Sequence, residues 1–422
     1  MKRHSDKRYS INRRKFLKTA GWAALTPLLP GLLSLPDRWG RSGKFRAQLL
    51  IPSSELYPDM RKNFLAGMEV CRNMYPQNEL FKLEYSVHDT GMGPGKALNI
   101  ARNLIQNEDI DLITGIIDPS LNPGLVSLCE EKGVMLIANN AGANIQDRHS
   151  DNSYLIQNSM QYWETNLAMG RWTAQNLGRR AIVAASFYES GYDALYAFSH
   201  GFEAGGGKVL ETVISNKPDA PDVSMVPIRT IRQYKPDFVF ASYSGPEAVE
   251  FIRLYADSGL SSNIPLVTSG FMVDEYNLQR LDPESLGIRS CHSWAPGLAN
   301  DANQILNRYF RNRYGCPPDV FAVMGFETAM LIDTVLKRKS ITAEFSASLP
   351  TDTINGPRGL IRHSNSLLEP ETPIYMRQVK RVNGRLQNVV IAELKNTVTS
   401  SERYHLAASG PKTGWLNTYL CV

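Results

Sequence analysis

Asp111-Leu112-Ile113-Thr114-Gly115-Ile116-Ile117, followed at once by Asp118-Pro119-Ser120, is the stretch that decides the fold of this 422-residue chain. Its apolar residues are consecutive, not alternating, so both faces of the strand they form must be covered, as in a parallel sheet sandwiched by helices. Ala47–Ile51, Val134–Ala138, Ala181–Ser186, Asp237–Ala241 and Pro265–Thr268 read the same way. In Phe81–Val87, by contrast, Phe81, Leu83, Tyr85 and Val87 alternate with Lys82, Glu84 and Ser86, which predicts a half-exposed strand near an edge.

Helical spacing fills the intervals. Phe64, Met68, Cys71 and Tyr75 make one stripe, and Ala97, Ala101, Leu104 and Ile105 another. Pro246 opens a third helix, with Ala248, Ile252 and Tyr255 on one face and Gly259 ending it. Alternation of this kind over some 250 residues predicts α/β structure with doubly wound sheets and right-handed crossovers, and the length favours two lobes over one sheet. Two successive helices, Asn300–Tyr314 and Phe321–Lys339, then break the alternation. Ile374–Lys380 and Gln387–Leu394 flank Asn383-Gly384, a strong hairpin signal. From about Asn396 the chain is polar and aperiodic, which predicts a surface tail.

The composition, with 43% hydrophobic and 21% charged residues, excludes a disordered or polytopic membrane chain. Of the net charge of +5, residues 1–46 carry +10 and the remainder −5, so the body lacks the basic surface that a nucleic-acid partner needs. Residues 1–18 hold eight Lys/Arg against one Asp and precede the apolar stretch Ala20–Leu35, the order of an export signal. Asn12-Arg13-Arg14-Lys15-Phe16-Leu17-Lys18 resembles the twin-arginine export motif, with Asn12 where Ser or Thr is usual. It implies passage through the twin-arginine translocase to the periplasm. No clear A-x-A cleavage site follows, and no Cys stands there for lipid attachment. A retained N-terminal anchor stays open, although sixteen residues with two prolines are short for spanning, which takes about 20.

Chemistry-bearing motifs are sparse. The cysteines Cys71, Cys129, Cys291, Cys316 and Cys421 are odd in number; Cys71 and Cys129 read as buried thiols, and Cys291 with Cys316 could pair in an oxidising compartment. Gly91-Met92-Gly93-Pro94-Gly95-Lys96 matches neither a dinucleotide fingerprint nor a P-loop and reads as a helix-entry turn. The seven histidines show no metal-ligand spacing, His88 and Asp89 point to opposite faces of a strand, and no G-x-S-x-G elbow occurs. No catalytic residue, metal ligand or cofactor motif is assigned.

Polar and aromatic residues instead gather just beyond the strand ends, where ligands of open α/β sheets bind. Ser54 and Tyr57 follow the first strand, Asp118 and Ser120 follow Asp111–Ile117, and Asn140, Ala141 and Gly142 follow Val134–Ala138. Tyr188 and Tyr192 follow Ala181–Ser186, Tyr243 and Ser244 follow Asp237–Ala241, and Phe271 follows Pro265–Thr268. Any one such loop is explained by turn and cap chemistry. Their recurrence in both halves predicts a cleft that binds a small molecule.

These residues carry a family resemblance. Tyr57–Met74, with Asn63-Phe64-Leu65-Ala66-Gly67-Met68-Glu69, resembles the first helix of periplasmic solute-binding proteins of the branched-chain amino acid (Leu/Ile/Val-binding) type. So do His88-Asp89-Thr90 through Lys96-Ala97, Gly115, Glu130-Glu131-Lys132-Gly133-Val134, Gly201-Phe202-Glu203-Ala204 with Gly207-Lys208-Val209, Pro236-Asp237-Phe238-Val239 and Phe321–Glu327. The resemblance spans roughly residues 45–395. It implies the type I periplasmic binding fold: two doubly wound Rossmann-like lobes joined by a three-strand hinge. Residues 1–44 would be export signal and linker, 45–158 with 297–368 lobe one, 159–296 with 369–395 lobe two, and 396–422 a tail. It also implies capture of a small polar or amino-acid-like solute and delivery to the membrane subunits of an ABC importer, without cofactor or catalysis.

The sequence departs from that pattern where amino-acid-binding relatives hold the ligand. Asp118-Pro119-Ser120 and Ala141-Gly142 replace the small hydroxyl residues and the Ala-Thr pair, and Gly270-Phe271 stands nearest the ammonium-binding acid. An ionised Asp118 would repel a carboxylate and favour a cation, amide or hydroxyl. The tyrosines and Phe271 could stack on a flat solute. Two other readings use the same cleft: a ligand-sensing accessory protein, or an exported enzyme.

Overall fold

The chain divides ahead of Gly43, and the fold described is that of the unit Gly43–Val422. A computed structural model describes residues 44–75, 77–91, 94–118, 121–143, 154–216, 225–281, 283–339, 352–363 and 370–394. The expected export signal, Ser120, Cys421 and the expected tail 396–422 lie outside the described residues.

The first sheet contains β1 (Phe45–Leu50), β2 (Leu83–His88), β3 (Leu112–Ile116), β4 (Met135–Asn140) and β5 (Leu155–Ser159), all parallel, in the order β2-β1-β3-β4-β5. The second contains β6 (Arg180–Ser186), β7 (Lys208–Ser215), β8 (Phe238–Ser242), β9 (Leu266–Thr268) and β10 (Arg289–His292), parallel, in the order β7-β6-β8-β9-β10. The chain then forms a separate hairpin of β11 (Asp352–Gly356) and β12 (Gly359–His363). Finally β13 (Ile374–Val382) pairs antiparallel with β10, and β14 (Arg385–Leu394) with β13. The five parallel strands of each sheet therefore share one order, second-first-third-fourth-fifth. Each sheet has a switch point beside its first strand, between β1 and β3 and between β6 and β8. This is an α/β fold of two doubly wound lobes.

The runs of consecutive apolar residues are the central strands, and β3 and β4 are buried throughout. The alternating run is the edge strand β2, which pairs with β1 alone. Asn383 and Gly384 both adopt left-handed φ, 50° and 79°, the twist that a two-residue hairpin turn requires. β5, β7, β10 and the β11–β12 pair are not among the runs that the sequence singles out. β5 reads Leu-Ile-Gln-Asn-Ser and β10 Arg-Ser-Cys-His, and their polar side chains are largely buried and bonded internally, which no apolar pattern reveals.

The helices are α1 (Met60–Met74), α2 (Pro94–Asn107), α3 (Asn122–Lys132), α4 (Tyr162–Asn176), α5 (Asp193–Ala204), α6 (Val226–Tyr234), α7 (Gly245–Asp257), α8 (Glu275–Leu278), α9 (Asp301–Tyr314) and α10 (Val320–Lys339). α2 and α3 cover one face of the first sheet through Ala97, Ala101, Leu104, Leu125 and Cys129. α1 and α10 pack together over the other, so the two late helices complete the lobe that begins the chain. Their backbones touch because a β-carbon on Gly67 would strike the Ala322 carbonyl, and one on Gly325 the Phe64 carbonyl. In the second lobe α6, α7 and α8 cover one face and α4 and α5 the other. The chain passes between the sheets three times: after β5, after β10 and after β12.

Cys71 and Cys129 are buried, as expected, and burial pushes the Cys129 thiol up to about 12. Cys291 and Cys316 are both free thiols, Cys291 inside the second-lobe core and Cys316 half-buried near the lobe-one surface. The expected helix-entry turn at Gly91 leads into α2 at Pro94, and the Gly91 amide donates to Asp89 Oδ1 at 2.8 Å.

Candidate functional site

The loops that leave the two switch points meet one another. In lobe one, β1 runs out into Ser53–Tyr57, and this loop is fixed by Asp89 at the end of the neighbouring strand. Asp89 accepts from the Ser53 amide at 3.1 Å and the Ser53 hydroxyl at 2.5 Å. Those bonds, the Ser53 hydroxyl first, hold the Asp89 carboxyl down at about 2. Ser54 Oγ accepts from the Tyr57 amide at 3.2 Å, turning the Tyr57 ring inward. The ring is 3% exposed and lies edge-on to Phe321 of α10, with centroids 5.1 Å apart. Tyr276 of α8, in the other lobe, lies 6.4 Å away on another side.

Lobe two presents Gly245 to the same loop. Its φ of 53° is left-handed, which favours glycine, and a β-carbon there would stand 2.7 Å from Leu56 Cδ2, so the lobe-one loop comes up against the start of α7. A second contact joins the lobes where the Ala194 amide at the start of α5 donates to the Ala143 carbonyl at 2.9 Å. The lobes are thus closed on each other along the switch-point side.

Beneath Gly245, at the lobe-two switch point itself, lies a buried acid. Glu189 follows β6, Ser242 ends β8 and Ser244 follows it. Ser242 Oγ and Tyr162 Oη each donate to Glu189 Oε2 at 3.1 Å, and Ser244 Oγ donates to Oε1 at 2.5 Å. Tyr162 Oη and Ser242 Oγ are also 3.1 Å apart. Phe271 stands edge-on to the Tyr162 ring at 5.1 Å and to His292 at 5.5 Å. Among the described residues Glu189 has hydroxyl partners and no cation. Burial raises its carboxyl above the ordinary range, the three hydroxyls pull it back, and Glu247 adds to the rise. The cluster is a buried polar site, with the Phe271 ring edge-on to Tyr162, that favours a hydrogen-bond donor or a positive charge and opposes a second anion.

The expected site residues separate into groups. Ser54 and Tyr57 stand on the lobe-one loop whose Leu56 meets Gly245, while Ser244 donates to Glu189 and Phe271 stands edge-on to Tyr162. Asn140, Ala141 and Gly142 reach the Glu189 cluster through α4: the Ala141 and Gly142 carbonyls each accept at 2.8 Å, from the Tyr162 and Trp163 amides. Asn140 Oδ1 accepts from the Gly142 amide at 2.9 Å, while its buried Nδ2 makes no hydrogen bond. Asp118 is half-buried beyond β3, at the lobe-one switch point. Tyr192 is buried at the start of α5, and Tyr188 is half-buried with its ring 5.5 Å from Phe187. Tyr243 lies elsewhere, stacked on Phe251 at 4.4 Å in the core, with its hydroxyl 2.9 Å from Ser215 Oγ. Strand alternation explains this, since Ser242 and Ser244 flank it on the opposite side. Glu189 and Tyr162 were not among the expected residues. The signal that could have found Glu189 is its place directly after Phe187-Tyr188, at the end of a buried strand.

Where α8 meets lobe one, Asp274 caps α8, accepting from the Asn277 amide at 2.8 Å. Burial, reinforced by Glu275 and Asp319 and opposed by Arg377, pushes its carboxyl up to about 8. Among the described residues no group of His, Cys, Asp and Glu is arranged to hold a metal ion.

A family model described as periplasmic binding protein matches residues 78–385. No curated protein sequence matches the chain. Among solved structures, an ABC-transporter solute-binding protein from Rhodopseudomonas palustris BisB5, in complex with 3,4-dihydroxybenzoic acid, is 22% identical with a TM-score of 0.71, covering 84% of this chain and 99% of that one. Another solute-binding protein from R. palustris, in complex with benzoate, is 26% identical with a TM-score of 0.67, covering 82% and 96%. A leucine-binding protein from Thermotoga maritima is 16% identical with a TM-score of 0.65, covering 83% and 98%. The family match takes in most of the chain, from just before β2 to the start of β14, and the chain belongs to the periplasmic binding protein family.

Proposed function

We propose that this protein captures a small, ring-bearing polar solute between its lobes and delivers it to the membrane subunits of an ABC importer. The observation that carries the reading is Glu189, buried at the lobe-two switch point on Tyr162, Ser242 and Ser244, with the lobe-one loop meeting the neighbouring Gly245 through Leu56. The Tyr162 and Phe271 rings suit a flat solute, in keeping with the relative that was solved with benzoate. The acid, with Asp118 at the other switch point, favours a solute whose polar end is an amine, amidine or hydroxyl over a carboxylate. The α-amino-acid clamp of leucine-binding relatives is not expected here. Asn12–Lys18 supports export through the twin-arginine translocase to the periplasm, where such a solute would be met.

The test is mass spectrometry of small molecules released from protein purified under native conditions, followed by calorimetric titration of whatever is identified. The reading predicts a stoichiometric aromatic amine, amide or phenol. Release of an aliphatic anion would refute the solute class, and failure of all identified molecules to rebind would refute solute capture.

A further inference from the structure

We infer that a cavity between α8, the end of α9 and the β13–β14 turn is a second binding site, taking an elongated zwitterion with an amine at one end and a carboxylate at the other. The cavity has a volume of about 540 Å³, and none of its lining residues belongs to the Glu189 cluster. Its buried end is Glu275, in the first turn of α8 and 4% exposed. Glu275 Oε1 accepts from Asn388 Nδ2 at 2.8 Å, and that nitrogen also donates to the Val273 carbonyl at 2.7 Å. Glu275 Oε2 is buried and has no hydrogen-bond partner. Burial raises this carboxyl and the charge of Arg377 opposes the rise. The Arg377 donors nevertheless go elsewhere, to the Gly270 and Trp294 carbonyls and to Ser290 Oγ.

A carboxylate oxygen shut off from water without a donor is a standing penalty, and an occupant's N–H group removes it. An amine does so best, because it brings a counter-charge as well as donors. The outer wall has the opposite sign. Arg311 near the end of α9 and Arg385 at the start of β14 line it, both exposed, and neither has an acid partner among the described residues. Arg385 Nη1 reaches across to the Gly315 carbonyl of lobe one, at 3.4 Å. Two guanidiniums suit a carboxylate. They repel a bare cation, and Glu275 repels a bare anion, so the two ends together select a zwitterion. Its length follows from the strand. Asn388, which holds Glu275, and Arg385 are three residues apart on β14, roughly 10 Å. The charges of the occupant are therefore several bonds apart, as in an ω-amino acid, and not on one carbon as in an α-amino acid. Leu278, Pro296 and Leu386 supply apolar wall for the chain between them. Glu275 and Arg385 both belong to lobe two, so this grip persists when the lobes part, and Arg311 of lobe one adds to it when they close. The inference does not rest on the solute chemistry proposed for Glu189.

Calorimetric titration of the full chain with ε-aminocaproate, hexylamine, hexanoate and alanine is the test. The ω-amino acid should bind about tenfold or more tighter than each of the other three, which lack one charge or the spacing. Glu275→Gln puts a donor where the free acceptor stands while its oxygen still accepts from Asn388, and should weaken ε-aminocaproate about thirtyfold. Arg385→Gln changes one exposed side chain at a hairpin end, leaves the fold alone, and should weaken it about fivefold to tenfold. Should Glu275→Gln fail to fold, Arg385→Gln and the comparison of the four probes still decide. Equal affinity for hexylamine, hexanoate or alanine would overturn the inference, as would no binding of ε-aminocaproate at millimolar concentration. Binding that Glu189→Gln abolishes, and that Glu275→Gln and Arg385→Gln leave at the wild-type level, would place the probe in the solute recess and overturn it too. Each of these results leaves solute capture at Glu189 standing, and failure of that reading leaves this cavity and its charges as they are.

Discussion

Replacing Glu189 with Gln separates what this acid does for the fold from what it does for a solute. In the fold it accepts three hydroxyl bonds, two on Oε2 and one on Oε1. An amide keeps one accepting oxygen, and its nitrogen can donate to Ser242 or Tyr162 once those hydroxyls turn. At most two bonds are lost, each about 1 kcal/mol. The substitution also removes a buried carboxyl whose raised folded-state value makes it increasingly unfavourable as pH rises. The two effects oppose, so the melting temperature should change by no more than a few degrees. Binding has no such compensation. An amine or amidine lodged against the carboxylate loses its counter-charge in a water-poor recess, which costs about 2–3 kcal/mol, or some thirty- to hundredfold in affinity. A carboxylate probe should respond in the other direction. Calorimetric titration of the wild type and Glu189→Gln with tyramine and with benzoate, at one salt concentration, reads both signs. Tight wild-type binding of benzoate that is indifferent to the substitution would refute the assignment of Glu189 as the polar anchor.

Asp118→Asn tests the other switch point. If Asp118 pairs with a cationic solute the variant should lose about thirtyfold in calorimetric affinity with its melting curve unchanged, whereas a helix-capping role predicts wild-type affinity, since Asn caps nearly as well. Asp274→Asn should stabilise the protein at alkaline pH. The folded-state carboxyl titrates near 8 and the free one near 3.8, so the folded state holds the proton more tightly and stability falls as pH rises between those values. The gain should rise from nil below pH 4 toward an upper bound of about 5 kcal/mol at pH 8.5, read from melts across the range. Arg13→Lys with Arg14→Lys should abolish periplasmic accumulation and leave the fold intact in a fractionation assay, because a receptor reads the guanidinium pair.

The parts of the fold that the sequence reveals are those where one residue type acts alone. Leu112, Ile113 and Ile116 need cover on both faces, and Asn383-Gly384 needs left-handed φ, whatever surrounds them. The hinge strands are a different case. Gln157, Asn158 and Ser159 look like a loop until Asn139 and Arg358, distant in sequence, supply partners that make burial tolerable. The recess follows the same rule. Ser244 and Phe271 could be placed by their position after strands, but Glu189 becomes distinctive only when Tyr162 and Ser242, 27 and 53 residues away, converge on it. Tyr243 shows the converse, where the choice between cleft and core turns on a strand's phase that composition does not record.

The contact of Gly67 with Ala322, and of Gly325 with Phe64, sets an order in time as well as in space. The two helices are more than 250 positions apart, so during synthesis the first sheet emerges long before α10 exists to cover it. The second lobe has its parallel strands β6 to β10 contiguous in the chain, yet its core also takes Ile374, Met376 and Val379 from β13, which emerges after α10. The lobe that is made first must therefore wait for α10, and until then one face of β4 and β5 remains bare to solvent or chaperone. The second lobe waits longer still, for β13 and β14. Neither lobe is a finished body before elements beyond residue 320 have emerged.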